Sequence, residues 1–111
     1  IVGITSAYLL KNEGVKVAVI EADRILQGTT GHSTAKITSQ HGLIYAQLKN
    51  QVGEELTRQY AEANELAIRL VADTVKELKI DCDFGWRSAY VYTQSGKYLQ
   101  DIEDEVEAAC L

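Results

Sequence analysis

From Tyr45 to about Lys79, apolar residues recur every three or four positions: Leu48, Val52, Leu56, Tyr60, Ala63, Ala67, Leu70, Val71, Val75 and Leu78. Glu, Lys, Arg and Gln fill the gaps. A stripe of this period is an amphipathic helix, and it predicts either one long helix or two with a break near Gly53. A single helix of that length would run roughly 50 Å at about 1.5 Å per residue. That exceeds the body of a domain of 111 residues, so the stripe is expected to lie against other parts of a larger molecule. The start of the chain leads to the same expectation. It contains no Met and opens on IVGITSAYLL, already in a helical pattern, as a piece of a longer protein would.

The flanking segments predict the remaining elements. Ile1 to Asn12 reads as a short buried helix, stopped by Asn12-Glu13-Gly14. Val15, Val17, Ala18, Val19 and Ile20 then form a nearly continuous apolar run ending at Glu21, which suits a parallel strand covered on both faces. Asp81 to Phe84 is expected to be extended, Gly85 and Trp86 to turn, and Ser88 to Thr93 to form a strand that Ser95-Gly96 breaks. Tyr98, Leu99, Ile102, Val106 and Ala109 mark a last helix with an acidic outer face. Helix then strand, joined by a glycine, is half of a βαβ unit. The expected class is therefore α/β: a partial Rossmann-like domain whose first strand is missing, with a long amphipathic helix and a short β-element.

Composition removes several function classes. The chain is 46% hydrophobic and 24% charged, as soluble globular proteins are. No apolar run approaches the roughly 20 residues of a membrane span. A net charge of −5 with acids and bases interleaved argues against a nucleic-acid surface, which needs a clustered basic face. Cys82 and Cys110 have no CxxC spacing and no secretory signal beside them, which favours reduced thiols and a cytoplasmic location over a disulfide or a metal site.

The chemistry-bearing residues gather in GTTGHSTAKITSQHG, Gly28 to Gly42. These fifteen residues hold three glycines, both histidines and six hydroxyl side chains. A dinucleotide-binding unit places G-x-G-x-x-G between its first strand and helix, with an acid about 20 residues further on that takes the ribose hydroxyls. Gly3 stands where the third glycine would, and Glu21 follows it by 18 residues. A lone glycine and a carboxylate after an apolar run also occur in α/β proteins that bind no nucleotide, so spacing alone leaves the question open. The loop adds weight. Backbone N–H groups around Gly28 and Gly31, with the hydroxyls of Thr29, Thr30, Ser33 and Thr34, make a donor-rich concavity suited to phosphate oxygens or to the polar edge of a flavin ring. Lys36 adds a positive charge for a reduced, anionic cofactor. His32 and His41 lack the companions a structural zinc requires, and no metal is expected. A helix-capping role competes with any substrate role for His41. Trp86, Tyr90 and Tyr92, with few basic residues around them, read as packing rather than as a stacking platform for single-stranded nucleic acid. Arg87 could clamp a substrate carboxylate or form a surface ion pair.

The order of helix, KVAVIEAD, GTTGHSTAKITSQHGLIY, long helix and DCDFGWRSAYVYT resembles the FAD-dependent oxidoreductases of the glycine oxidase and D-amino-acid oxidase (DAO) family over essentially the whole chain. GTTGHSTAK is the most specific part. It is similar to bacterial members of unknown substrate, some of which carry a Rieske iron–sulfur domain at the far end. The resemblance implies that Gly3 ends the FAD pyrophosphate loop, that Glu21 binds the adenosine ribose, and that Ala22 and Asp23 lie beside the adenosine. It places Thr30, Gly31, His32, Thr34, Ala35 and Lys36 in the loop running under the pyrophosphate towards the flavin ring, with His41 nearer the substrate side, where the carboxylate clamp read for Arg87 would also act. The first two glycines of the fingerprint are absent, a departure from the family's pattern.

The implied organisation is a partial FAD-binding segment over residues 1–42, followed by residues 43–111 as the helix, strand and last helix of the same incomplete domain. The implied function is that of a fragment of a flavin-dependent oxidoreductase, which oxidises an amine or amino-acid-like small molecule by hydride transfer to FAD. A Rieske cluster would be a second cofactor in a missing C-terminal domain, and no catalytic residue is assigned. Two alternatives stand beside this: a fragment of a nicotinamide-dependent dehydrogenase, and a helical interaction module without catalysis. An unpaired edge at Val15 to Ile20 predicts that the isolated chain self-associates.

Overall fold

A computed structural model describes residues 1–110 of the chain. It divides into two compact units, Ile1–Lys36 and Ile37–Leu111, with Leu111 outside the described residues.

The first unit is built on helix α1, Val2–Asn12. Its stop signal works as the sequence suggests. Gly14 takes a φ of 77°, its N–H donates to the Lys11 carbonyl, and the Val15 N–H reaches back to Leu10. This pair of bonds satisfies the last carbonyls of the helix, and the left-handed residue between them costs a glycine nothing. The helix is not the buried one expected. None of its residues is buried, because Val2, Ile4, Tyr8, Leu9 and Leu10 are spread round its circumference rather than gathered into a single stripe that could dock. Beyond Gly14 the chain is irregular apart from one 3-10 turn, Thr29–His32.

The second unit is a three-helix assembly. Helix α2, Ile44–Val52, lies against both α3, Glu54–Glu77, and α4, Leu99–Ala109. The long stripe is thus two helices, and the break falls at Gly53, whose φ of 85° and ψ of 169° belong to a region only glycine enters freely. Helix α3 is about 36 Å long at 1.5 Å per residue. Glu54 and Glu55 in its first turn and Lys76 in its last complement the helix dipole. It ends with Lys79 at φ 51° and the Ile80 N–H donating to Val75.

The core of this unit is small and half polar. Tyr45, Thr57, Glu105 and Ala108 are its buried residues. Thr57, only 1% exposed, donates its hydroxyl to the Gly53 carbonyl at 2.8 Å. Glu105 places one carboxylate oxygen 3.0 Å from the Tyr45 N–H and the other 2.8 Å from the Ala46 N–H. The residue at the N-cap of α2, Leu43, has no side-chain oxygen for the helix's first amides. A carboxylate 60 residues away therefore supplies the cap, adding a favourable charge at the positive end of the dipole. A Lys49–Glu107 ion pair at 3.3 Å adds a second tie between α2 and α4.

The α/β expectation is overturned. Among the described residues there is no strand and no sheet, and every regular element is helical. Val15 to Ile20 and Ser88 to Thr93, the two runs expected to be strands, are irregular. β-branched residues favour an extended backbone, yet a sheet exists only where ladder hydrogen bonds join two such runs. Neither run finds a ladder partner among the described residues. Neither the Rossmann-like sheet nor the short β-element is formed.

Candidate functional site

The hydroxyl-rich loop is shaped by contacts within the first unit. A Cβ at Gly31 would stand 1.9 Å from the Leu26 carbonyl oxygen, a backbone atom that no side-chain rotation can move aside. The chain therefore folds back on itself at a place only glycine allows. Leu26 meets that approach with a φ of 63°. The Gly31 N–H donates to Gly28 at 3.1 Å, and His32 Nδ1 is hydrogen-bonded to the same carbonyl at 2.8 Å. The Ser33 hydroxyl accepts from the Ala35 N–H at 3.1 Å, holding Ala35 at a φ of 56°. His32 is thus committed to shaping the loop through one ring nitrogen.

The start of α1 meets this loop. The Ile1 amino group donates to Thr30 Oγ1 at 3.3 Å. No side chain caps that turn, so the early N–H groups of α1 keep their donor capacity at the positive end of the dipole. A Cβ at Gly3 would meet no protein atom within 4 Å.

Glu21 folds over its own turn. One carboxylate oxygen accepts from the Ala22 N–H at 2.8 Å and from the Asp23 N–H at 3.3 Å. Those two bonds fix the carboxylate's direction and leave its other oxygen open to a hydroxyl donor. The exposed Arg87 turns its guanidinium back to the Trp86 carbonyl at 2.9 Å.

His41 belongs to a polar network that sequence reasoning missed. Its Nδ1 is hydrogen-bonded to the Tyr60 hydroxyl at 2.9 Å. Two residues earlier, the Ser39 hydroxyl donates to Glu65 at 2.5 Å, and the Ser39 carbonyl accepts from the Tyr45 hydroxyl at 2.6 Å. The Tyr45 and Tyr60 rings meet edge to face. Burial pushes the Tyr45 phenol above its ordinary pKa, and the neighbouring Tyr60, Glu65 and Glu105 push the same way, with Ser39 opposing. Two features of the sequence point to this network. Tyr60 is a polar-tipped member of the apolar stripe, and Glu105 sits one residue from Val106, within a turn of Ile102.

A groove of about 680 Å³ in this unit is lined by Ser39, Tyr45, Glu65 and Glu105 among others. These polar groups already satisfy one another or backbone amides. Among the described residues no three His, Cys, Asp or Glu side chains gather to hold a metal ion, Cys82 and Cys110 are free and exposed, and no helix is long and apolar enough to cross a membrane.

Comparison with known proteins bears on what the loop serves. The family described as "FAD dependent oxidoreductase" (DAO) matches residues 1–111. "Putative Rieske 2Fe-2S iron-sulfur protein YhfW" of Bacillus subtilis (strain 168) is 44% identical over 108 residues, which cover 97% of this chain and 21% of that protein. Gamma-glutamylputrescine oxidoreductase of Escherichia coli (strain K12) is 24% identical over 105 residues, 95% of this chain and 24% of that protein. The chain thus spans about a fifth to a quarter of the length of these relatives. No solved structure matches it significantly.

Proposed function

The chain belongs to the FAD-dependent oxidoreductase (DAO) family, and from that premise we propose that it is the part of a flavoenzyme that grips the adenosine and diphosphate end of FAD. The observation that carries this reading is the hydroxyl loop itself, folded back at Gly31 against the Leu26 carbonyl and braced by His32 and Ser33. The donor set fits the group. Amide N–H groups at the positive end of a helix and the hydroxyls of Thr29, Thr30, Ser33 and Thr34 are hydrogen-bond donors of the kind phosphate oxygens accept from. The open oxygen of Glu21 is an acceptor of the kind ribose hydroxyls donate to.

In this assignment Gly3 leaves room for the diphosphate to approach the helix backbone, and Ala22 and Asp23 flank the adenosine. Thr30, Gly31, His32, Thr34, Ala35 and Lys36 form the loop on the way to the flavin. The Lys36 ammonium would favour negative charge on a reduced ring. His41 and Arg87 are assigned to the substrate side. When bound, FAD supplies the acceptor for a hydride taken from the carbon beside an amine. The name of the E. coli relative, an oxidoreductase of a substituted diamine, supports an amine substrate. The name of the B. subtilis relative supports an iron–sulfur acceptor for the electrons. A Rieske centre takes two Cys and two His, and we assign any such cluster to residues other than those described.

The test is a fluorescence titration with FAD. Saturable binding is expected, weakened by about tenfold in Glu21→Ala, the size of a lost hydrogen bond to a charged group. Unchanged affinity in that variant would remove Glu21 from the ribose.

A further inference from the structure

Thr34, Ala35 and Lys36 are followed at once by a segment that is tied down, and the ties come from helices α2 and α3. Ser39 is held twice, by its hydroxyl on Glu65 at 2.5 Å and by its carbonyl under the Tyr45 hydroxyl at 2.6 Å. His41 is held on Tyr60 at 2.9 Å. Between them, the Gln40 N–H donates to the Thr38 hydroxyl at 3.0 Å, which stiffens the turn. Tyr45 in its turn stands on the Glu105 cap. Three residues in a row beyond Lys36, counted from Ser39, thus carry either a side-chain tie to α3 or a local bond that supports one.

We propose that Tyr60 and Glu65 are positioning residues: they anchor the far end of the cofactor loop through Ser39 and His41, and so limit the conformations open to Thr34, Ala35 and Lys36. The effect passes along the backbone. Three peptide units separate Lys36 from Ser39, and a chain of that length reaches at most about 10 Å. A loop fixed at its end loses less entropy when a ligand orders it, which favours binding. The cofactor part of this inference rests on the function proposed above. The anchoring part does not.

Trypsin reads the anchor directly. Lys36 and Ile37 are exposed, and cleavage between them requires the following residues, Ser39 included, to leave their ties and enter the protease. Arg24, exposed and within the first unit, is the internal reference, and Lys49 within α2 reports general unfolding of the second unit. In the combined Glu65→Ala and Tyr60→Phe variant, cleavage at Lys36 relative to Arg24 is expected to rise by about fivefold or more, the change in open population when about one hydrogen bond's worth of stability is lost. Cleavage at Lys49 should stay unchanged. Glu65→Gln keeps an acceptor for the Ser39 hydroxyl and should restore most of the protection, which a merely structural loss would not do.

The same variants are titrated with FAD. A higher Lys36 ratio together with weaker FAD binding, restored by Glu65→Gln, is the expected result. An unchanged ratio, or a rise matched at Lys49, overturns the anchor. A raised ratio with unaltered FAD affinity overturns its role for the cofactor. Wild-type protein that binds no FAD would overturn that role together with the reading it rests on, while the cleavage ratio would still decide the anchor.

Discussion

The two units hold their shape by different means. In Ile1–Lys36 no residue is buried, and apart from Ile1 on Thr30 the side-chain hydrogen bonds join residues no more than four apart. In Ile37–Leu111 the decisive bonds bridge 19, 26 and 60 residues. They converge on the buried Tyr45 or its neighbours. A shape made of local bonds and one glycine-only fold-back is set loop by loop and opens without a cooperative penalty. A shape made of long-range charged and phenolic bonds depends on its buried tie at Glu105, while the ties at Ser39 and His41 can open locally. Under the proposed function this divides the chain into a ligand-gripping segment and a scaffold.

The comparison breaks most sharply at Glu105. Glu105→Ala leaves the Tyr45 and Ala46 amides without their acceptor and α2 without its cap. We expect a loss of about 3 kcal/mol in urea unfolding of the second unit, the sum of a charge-assisted cap and the burial of unsatisfied donors. Glu105→Gln, which retains one acceptor oxygen, should lose roughly half as much. A loss in Glu105→Ala below about 0.5 kcal/mol, the size of an ordinary surface substitution, would show that the cap does not hold the unit together.

Local signals were legible in the sequence and partners were not. Asn12-Glu13-Gly14 announced the end of α1, and Gly53 the break in the long stripe, because each acts through its own backbone torsions. The family too could be read, from the resemblance that GTTGHSTAK carries. Val15 to Ile20 misled because β-branched composition states a torsional preference and says nothing of a ladder partner. Glu105 reads as part of the acidic outer face, because its neighbours Ile102 and Val106 do not reveal that a helix 60 residues earlier lacks a cap. Tyr60 reads as part of the apolar stripe; its ring does pack there, while its hydroxyl holds His41.

A smaller effect sharpens the comparison from the other side. In Gly31→Ala the new methyl group would meet the Leu26 carbonyl at 1.9 Å, so the loop must open. Overpacking of this kind costs about 1–3 kcal/mol, and under the proposed function it should weaken FAD binding by roughly tenfold or more. Because the first unit holds itself by local contacts, the urea midpoint of the second unit should not move. Wild-type FAD affinity in this variant would mean that the fold-back is not the binding shape.

The mildest test is pH. The Tyr45 phenol is raised above its ordinary value of 10.0, first by burial and then by the charges near it. A raised folded pKa means that the neutral form is the one the fold favours. Its contribution is complete below pH 10 and is lost as pH climbs through the folded value. The second unit should therefore keep its stability through neutral pH and weaken in alkali. Tyr45→Phe removes the donor to Ser39, costing about 1 kcal/mol at neutral pH, and with it the ionising group. Its unfolding midpoint should start lower and fall less steeply above pH 10. If wild type and Tyr45→Phe decline in parallel there, other tyrosines carry the alkaline transition, and the hydroxyl that braces Ser39 contributes nothing to it.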